Sequence, residues 1–178
     1  MSTKKWVIDP MHSEIRFKIK HLMISNVTGS FNSFEGSAET EENNFMNAKI
    51  SFSAAINSID TGNEQRDGHL KGEDFFDAAK YPKLSFLSTS FSKTDGDNGY
   101  ELTGDLTIKG VTKPVILAVE YGGTMTDFYG QFKAGFDISG KISRSEFGLT
   151  WSAVTEAGGV VVSDDVKLNL SIQMIKQA

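Results

Sequence analysis

From Glu14 to Lys20 the chain alternates without a break, with Ile15, Phe17 and Ile19 set between Glu14, Arg16, Lys18 and Lys20. A period of two sends successive side chains to opposite faces of an extended backbone, so this stretch is a strand with one oily and one wet face. The rhythm returns at Ile50, Phe52, Ala54 and Ile56, at Leu84, Phe86 and Ser88, and at Tyr100, Leu102, Gly104, Leu106 and Ile108 against Glu101, Thr103, Asp105 and Thr107. It resumes at Val115, Leu117, Val119 and Tyr121, at Phe128, Gly130, Phe132, Ala134, Phe136 and Ile138, and at Val166, Leu168, Leu170, Ile172 and Met174. Few helical periods compete, and the chain reads as all-β.

Residues that tolerate positive φ separate the runs: Asp95-Gly96-Asp97-Asn98-Gly99, Lys109-Gly110, Gly122-Gly123 and Gly158-Gly159. Strands joined by such tight turns pair antiparallel. Alternation alone fits a sandwich as well as a barrel. The 17 glycines tilt the reading toward a barrel, because Gly104, Gly130, Gly135 and Gly140 fall inside strand patterns, where corners and bulges need them. A barrel of about eight strands has a lumen that side chains fill or that holds one small ligand.

The pattern breaks between residues 62 and 80. Thr61 followed by Glu64 has capping-box spacing and predicts a short helix, with a second helical turn over Asp74–Lys80 ended by Pro82. This insertion carries Arg66, Asp67 and His69 beside Leu70, Phe75 and Phe76, so ionisable groups share one region with large apolar surface. That combination suits a ligand with a polar head and an oily body. A local Arg66–Asp67 salt bridge that pins the loop is the structural alternative, since paired charges mark sites only probabilistically.

One domain of 178 residues is long enough to bury a substantial core. A net charge of −5 and a pI near 5.2 argue against a nucleic-acid partner, and Arg16, Lys18 and Lys20 read as one solvated strand face. The absence of cysteine removes disulfides and thiolate chemistry. No apolar stretch of signal-peptide or membrane-span length occurs, so a cytoplasmic location is expected for the chain as written, and a periplasmic one if it is a mature form.

Several motifs, taken in order, resemble the YceI-like family: Trp6-Val7-Ile8-Asp9, His12-Ser13, Phe17, His21, Gly29 with Phe31 and Gly36, and Ser58-Ile59-Asp60-Thr61 with Arg66-Asp67 and His69-Leu70. Phe75-Phe76, Tyr81-Pro82 with Phe86, Gly104 to Thr112, Pro114-Val115, and Arg144 with Phe147-Gly148 continue the likeness over nearly the whole chain. The resemblance implies a single domain over residues 1–178, a lipocalin-like antiparallel barrel whose lumen takes a polyisoprenoid chain. It further implies a homodimer and frequent export to the periplasm.

An isoprenoid offers only hydrocarbon, so its binding comes from removing apolar surface from water, about 0.8 kcal/mol per buried CH₂. Some forty carbons would sum past about 30 kcal/mol, above the practical ceiling near 18 to 21 kcal/mol, so ordering the flexible chain must cancel much of it. The expected lumen wall is Phe17, Ile19, Phe31, Phe34, Phe52, Ile56, Leu70, Phe75, Phe76, Phe86, Leu106, Phe132 and Phe136, each of which is equally suited to plain core packing. A hydroxyl, pyrophosphate or quinone head needs polar partners at the lumen mouth. Arg66, Asp67 and His69 are best placed, with His12, His21 and Arg144 as secondary candidates; Arg binds phosphate bidentately.

Enzyme readings are weaker. The three histidines lack zinc-site spacing and Ser13 lacks a nucleophile-elbow context, so neither metal nor catalytic residues are expected. The sequence therefore leads to a non-catalytic carrier or store of a long isoprenoid lipid such as a polyprenyl alcohol, pyrophosphate or quinone. No cofactor beyond the bound lipid is expected. An enzyme acting on such a lipid and a solidly packed interaction module are the alternatives.

Overall fold

A computed structural model describes residues 3–21, 25–41, 44–94, 98–149 and 162–177. In chain order the elements are β1 (Thr3–Ile8), β2 (Glu14–His21), β3 (Ser25–Phe31), β4 (Phe34–Glu41), β5 (Asn44–Ala55), β6 (Ile59–Asp60), helix α1 (Glu64–Lys71), β7 (Lys83–Lys93), β8 (Gly99–Ile108), β9 (Val111–Thr126), β10 (Phe132–Ser143) and β11 (Val162–Lys176).

Every pairing is antiparallel, and the short strands work in tandem. β1 and β2 flank the 3₁₀ turn Pro10–His12 and both pair with β11, through Ile8 opposite Met174 and Ile15 opposite Leu170. In the same way β4 pairs with β5 while β3 pairs with β6, the two strands of each tandem separated by a short kink. The result is eight ribbons in a ring, β1/β2, β3/β4, β5/β6, β7, β8, β9, β10 and β11, and the β1–β11 pairing closes it. The barrel, the antiparallel order and the helical insertion expected from the sequence are all present.

One end of the tube is filled by aromatic rings. Trp6 is 0% exposed, its Nε1 donates to Thr40 Oγ1 at 3.0 Å, and its ring lies 4.8 Å from Phe45 and 5.9 Å from Phe132. Phe45 in turn meets Phe136 edge-on at 5.0 Å, and Tyr121 lies 5.3 Å from Phe136. Buried Trp and aromatic pairs of this geometry contribute beyond their area alone, and the indole N–H has the partner that burial demands. The opposite end carries α1.

Three local expectations are corrected. The helix is capped by Asn63, whose Oδ1 accepts from the Arg66 amide at 3.0 Å, and not by Thr61. The segment Asp74–Lys80 forms successive turns and no helix, because Asp77 at φ 51° leaves the helical path. Phe128 and Gly130 belong to the β9–β10 hairpin turn, where Asp127 accepts from the Tyr129 and Gln131 amides at 2.9 and 3.0 Å and Gly130 takes φ 80°; the strand begins only at Phe132. The predicted Gly158-Gly159 turn and most of the Asp95–Gly99 turn lie outside the described residues.

Candidate ligand-binding lumen

The tube is hollow. A cavity of about 630 Å³ opens beside α1 and reaches down to Phe45 and Phe136, within the range of roughly 300–1,000 Å³ usual for ligand sites. On β11 its wall runs from Val166 through Leu168, Leu170 and Ile172 to Met174, about 26 Å of strand at roughly 3.3 Å per residue. The void is therefore elongated and almost wholly hydrocarbon-lined.

Ten of the expected wall residues face it: Phe17, Ile19, Phe31, Phe52, Leu70, Phe75, Phe76, Phe86, Leu106 and Phe136. Phe34, Ile56 and Phe132 do not. Phe34 packs 6.3 Å from Phe52. Ile56 is 1% exposed within the kink between β5 and β6, its amide bonded to the Pro82 carbonyl. Phe132 belongs to the Trp6 plug and carries Lys176 Nζ 5.5 Å from its ring. The floor residue Phe45 and the wall residues Phe91, Leu102, Val119, Ile172 and Met174 were absent from the sequence-based set. Alternation along β8, β9 and β11 was the signal available for four of them.

A tube walled by so many phenyl groups stays open because glycines let rings lie flat. Gly29 is directly opposite Phe17 in register, and a β-carbon there would collide with the Phe17 ring. Gly104 gives the same room to Phe86 on the neighbouring strand β7. In both places the ring occupies the space above a residue with no side chain and leaves the axis clear.

At the mouth, Arg66 and Asp67 meet through Thr61 and not directly. Arg66 Nε donates to Thr61 Oγ1 and its Nη2 to the Thr61 carbonyl, both at 2.8 Å. Asp67 Oδ1 accepts from the Thr61 amide at 2.9 Å and from its hydroxyl at 2.5 Å. In place of the alternative Arg66–Asp67 salt bridge, the two residues form with Thr61 a three-residue clasp that ties α1 to the end of β6. Arg66 also faces the cavity, whereas Asp67 is not part of the wall.

His69 stands edge-on to Phe75 at 5.2 Å, with Nε2 3.5 Å from Asp74 Oδ2, and lines the mouth. Arg144 is 5% exposed, lies 5.9 Å from the Phe75 ring and also reaches the cavity. Its Nε donates to the Ser163 carbonyl at 2.9 Å and its Nη1 to that of Leu149 at 2.6 Å. Burial lowers the Arg144 pKa from its ordinary value, and the Asp164 carboxylate pulls it back up. Arg66 and Arg144 both line the open end of the tube, and among the described residues no Asp or Glu lines that cavity.

His12 is elsewhere. Its Nδ1 lies 2.8 Å from Asp9 Oδ2, the same oxygen that accepts from Lys133 Nζ at 2.7 Å, and Lys133 reaches Asp127 Oδ2 at 3.3 Å. This cluster ties the β1–β2 kink to the β9–β10 hairpin on the outer wall. His21 ends β2 near the mouth by its backbone, but its side chain lies outside the described residues. Among the described residues no cluster of three or more His, Cys, Asp or Glu is placed to hold a metal ion, and no helix is long and apolar enough to cross a membrane.

Comparison with known proteins agrees with this architecture. Residues 6–174 match the family model of the YceI-like domain. A UPF0312 protein of Staphylococcus aureus (strain USA300) is 36% identical over 169 residues, covering 94% of this chain and 95% of its own. Among solved structures, BcnA of Burkholderia cenocepacia superposes with a TM-score of 0.80 at 24% identity, over 93% of this chain and 98% of that one. A polyisoprenoid-binding domain from Saccharophagus degradans, implicated in plant cell wall breakdown, superposes with a TM-score of 0.67 at 16% identity over 97% and 98%. At such identities these two structures show the fold.

Proposed function

The chain belongs to the YceI-like family, and we propose that it takes a long-chain polyisoprenoid lipid into its lumen and carries or stores it unchanged. The observation that carries this reading is the elongated apolar cavity of about 630 Å³ closed at one end by the Trp6 plug. A chain of hydrocarbon repeats gains binding from every buried CH₂ and needs few directed contacts, which matches a wall almost free of polar groups. The Saccharophagus degradans domain, which shares the fold, is known as a binder of the same class of ligand.

The head of the lipid rests at the mouth, against Arg66, His69 and Arg144. Two guanidinium groups facing a low-dielectric tube favour an anionic head over a neutral quinone, because a phosphate offers each of them a charge-assisted acceptor. A non-catalytic role is supported by the way the mouth groups are engaged: Thr61, Asp67 and much of Arg66 are spent holding α1 in place.

Native mass spectrometry of protein loaded with organic extract tests the proposal. One intact isoprenoid per chain is the expected result. An extract-exposed protein that stays empty overturns it, and release of a processed product replaces the carrier with an enzyme.

A further inference from the structure

Lys18, Lys167 and Lys141 lie side by side on the outer wall, on β2, β11 and β10. The register places Lys167 directly opposite Lys18 on one side and Lys141 on the other, and all three are exposed. Arg16 and Lys20 extend the row along β2, and a surface depression of about 940 Å³ is lined by Arg16, Lys18, Lys141 and Lys167, with Glu101, Ile116 and Ala118 at its other side. Arg16 has Glu14 at 2.7 Å and Lys141 has Asp165 at 3.6 Å; among the described residues no carboxylate pairs with Lys18 or Lys167.

Like charges directly opposite on neighbouring strands destabilise a sheet, so the row gives nothing to folding. It is also the wrong sign for a chain of net charge −5. Its position is informative: Ile19, Val166 and Ile142, inward neighbours on the same three strands, line the mouth half of the lumen. A flat surface of negative charge meeting this face would lie beside the opening. Lysine stems would pack along such a surface while their ammonium groups reach the phosphates.

We propose that the Lys18–Lys167–Lys141 face docks the barrel on an anionic membrane surface. The choice of a bilayer over a soluble polyanion rests on the carrier reading, since a lipid cargo is exchanged where lipid is. Docking by this face brings the mouth to the source of the cargo, and the attraction falls within a Debye length, so it is short-ranged and salt-sensitive.

The test is co-flotation of the whole chain with vesicles of phosphatidylcholine alone or with about 30% phosphatidylglycerol, an anionic fraction that sets up a negative surface potential. Binding is expected only to the anionic vesicles, is lost at about 0.5 M salt, and is about a hundredfold weaker in Lys18→Gln/Lys141→Gln/Lys167→Gln, the order for three lysines at such a surface. The triple variant should melt close to the parent, because relief of the like-charge row offsets the loss of the exposed Lys141–Asp165 pair, and the matching Lys→Arg variant should still bind. Equal partition to both vesicle types, or unchanged binding by the triple variant, overturns the proposal. Saturable binding of inorganic pyrophosphate that depends on the three lysines, without vesicle binding, reassigns the face to a soluble anion and overturns it as well. Native mass spectrometry on the same samples separates the two ideas, since docking can fail while lumen cargo is retained.

Discussion

The Phe17 ring rests on Gly29, its directly opposite neighbour on β3, in the space that a Gly29 side chain would need. Thr61 Cγ2 closes the other side, 2.9 Å from where a β-carbon would stand. A residue larger than glycine therefore has one way out, which is to push the ring toward the axis of the tube.

Gly29→Ala is expected to narrow the lumen near its mouth while the barrel persists. Overpacking of this kind costs about 1–3 kcal/mol, a melting shift that calorimetry resolves. Lipid per chain, measured by native mass spectrometry, should fall in the folded variant. Full loading with an unchanged melting temperature would mean that the ring moves elsewhere.

Phe17 and Phe132 should part company under mutation, although alternation makes them look alike. Phe17→Glu puts a charge on the lumen wall and should abolish lipid retention. Phe132→Ala loosens the plug beneath Trp6, a loss of about 2 kcal/mol, less than the roughly 3–5 of a fully buried phenyl because this ring is only half-buried, and should leave lipid stoichiometry intact. Loss of lipid from both variants at equal fold stability would move Phe132 back into the wall.

What the chain shows of this architecture before folding is local. Period-two alternation marks β2, β8 and β11 because the core lies on one side of each. The same alternation runs on through Phe128 and Gly130, where it misleads, since Asp127 turns the backbone with hydrogen bonds that hydropathy does not register. Long-range pairing is equally invisible: Lys18 reads as a solvated strand residue, and only the register with Lys167 and Lys141 makes it part of a basic row. The clasp at the mouth was legible as a charged motif but not as a geometry. Adjacent helical residues point in different directions, so Arg66 and Asp67 converge on Thr61 and not on each other.

Arg66→Ala tests the head group. If Arg66 contacts an anionic head, affinity for a polyprenyl pyrophosphate should fall by about 1.5–3 kcal/mol, the worth of a hydrogen bond to a charged group, while a quinone of equal chain length loses much less. Competition binding with both lipids reads the difference. Equal losses would assign Arg66 to the Thr61 clasp alone, and Arg66→Lys, which keeps the charge but not the fork, would then fail for both lipids.

Acid should unpick the outer cluster in a predictable order. Burial by itself would raise the Asp9 carboxyl, but hydrogen bonds from Lys133, His12 and the Met11 amide outweigh it and hold Asp9 below the ordinary carboxylate value. Asp127 is held low too, chiefly by the Gln131 amide, and Lys133 is held high, chiefly by Asp9. A depressed carboxyl stabilises the fold above its unfolded value of about 3.9 and loses that contribution as pH falls through its lower folded value. The raised ammonium contributes in full below its unfolded value of about 10.4 and loses it as pH climbs through the folded one. Between those limits Asp9, Asp127 and Lys133 all keep their charges. Asp9→Asn removes the acceptor that Lys133 and His12 share, so the variant should melt lower than the parent across neutral pH. Below about pH 4 the gap should narrow, because the unfolded chain's Asp9 then takes up a proton that the folded parent's Asp9, held lower, accepts only at still more acid pH. Thermal melts of both proteins from acid to neutral pH provide the check, and an offset that stays constant through the acid range would make Asp9 a packing residue whose charge is immaterial.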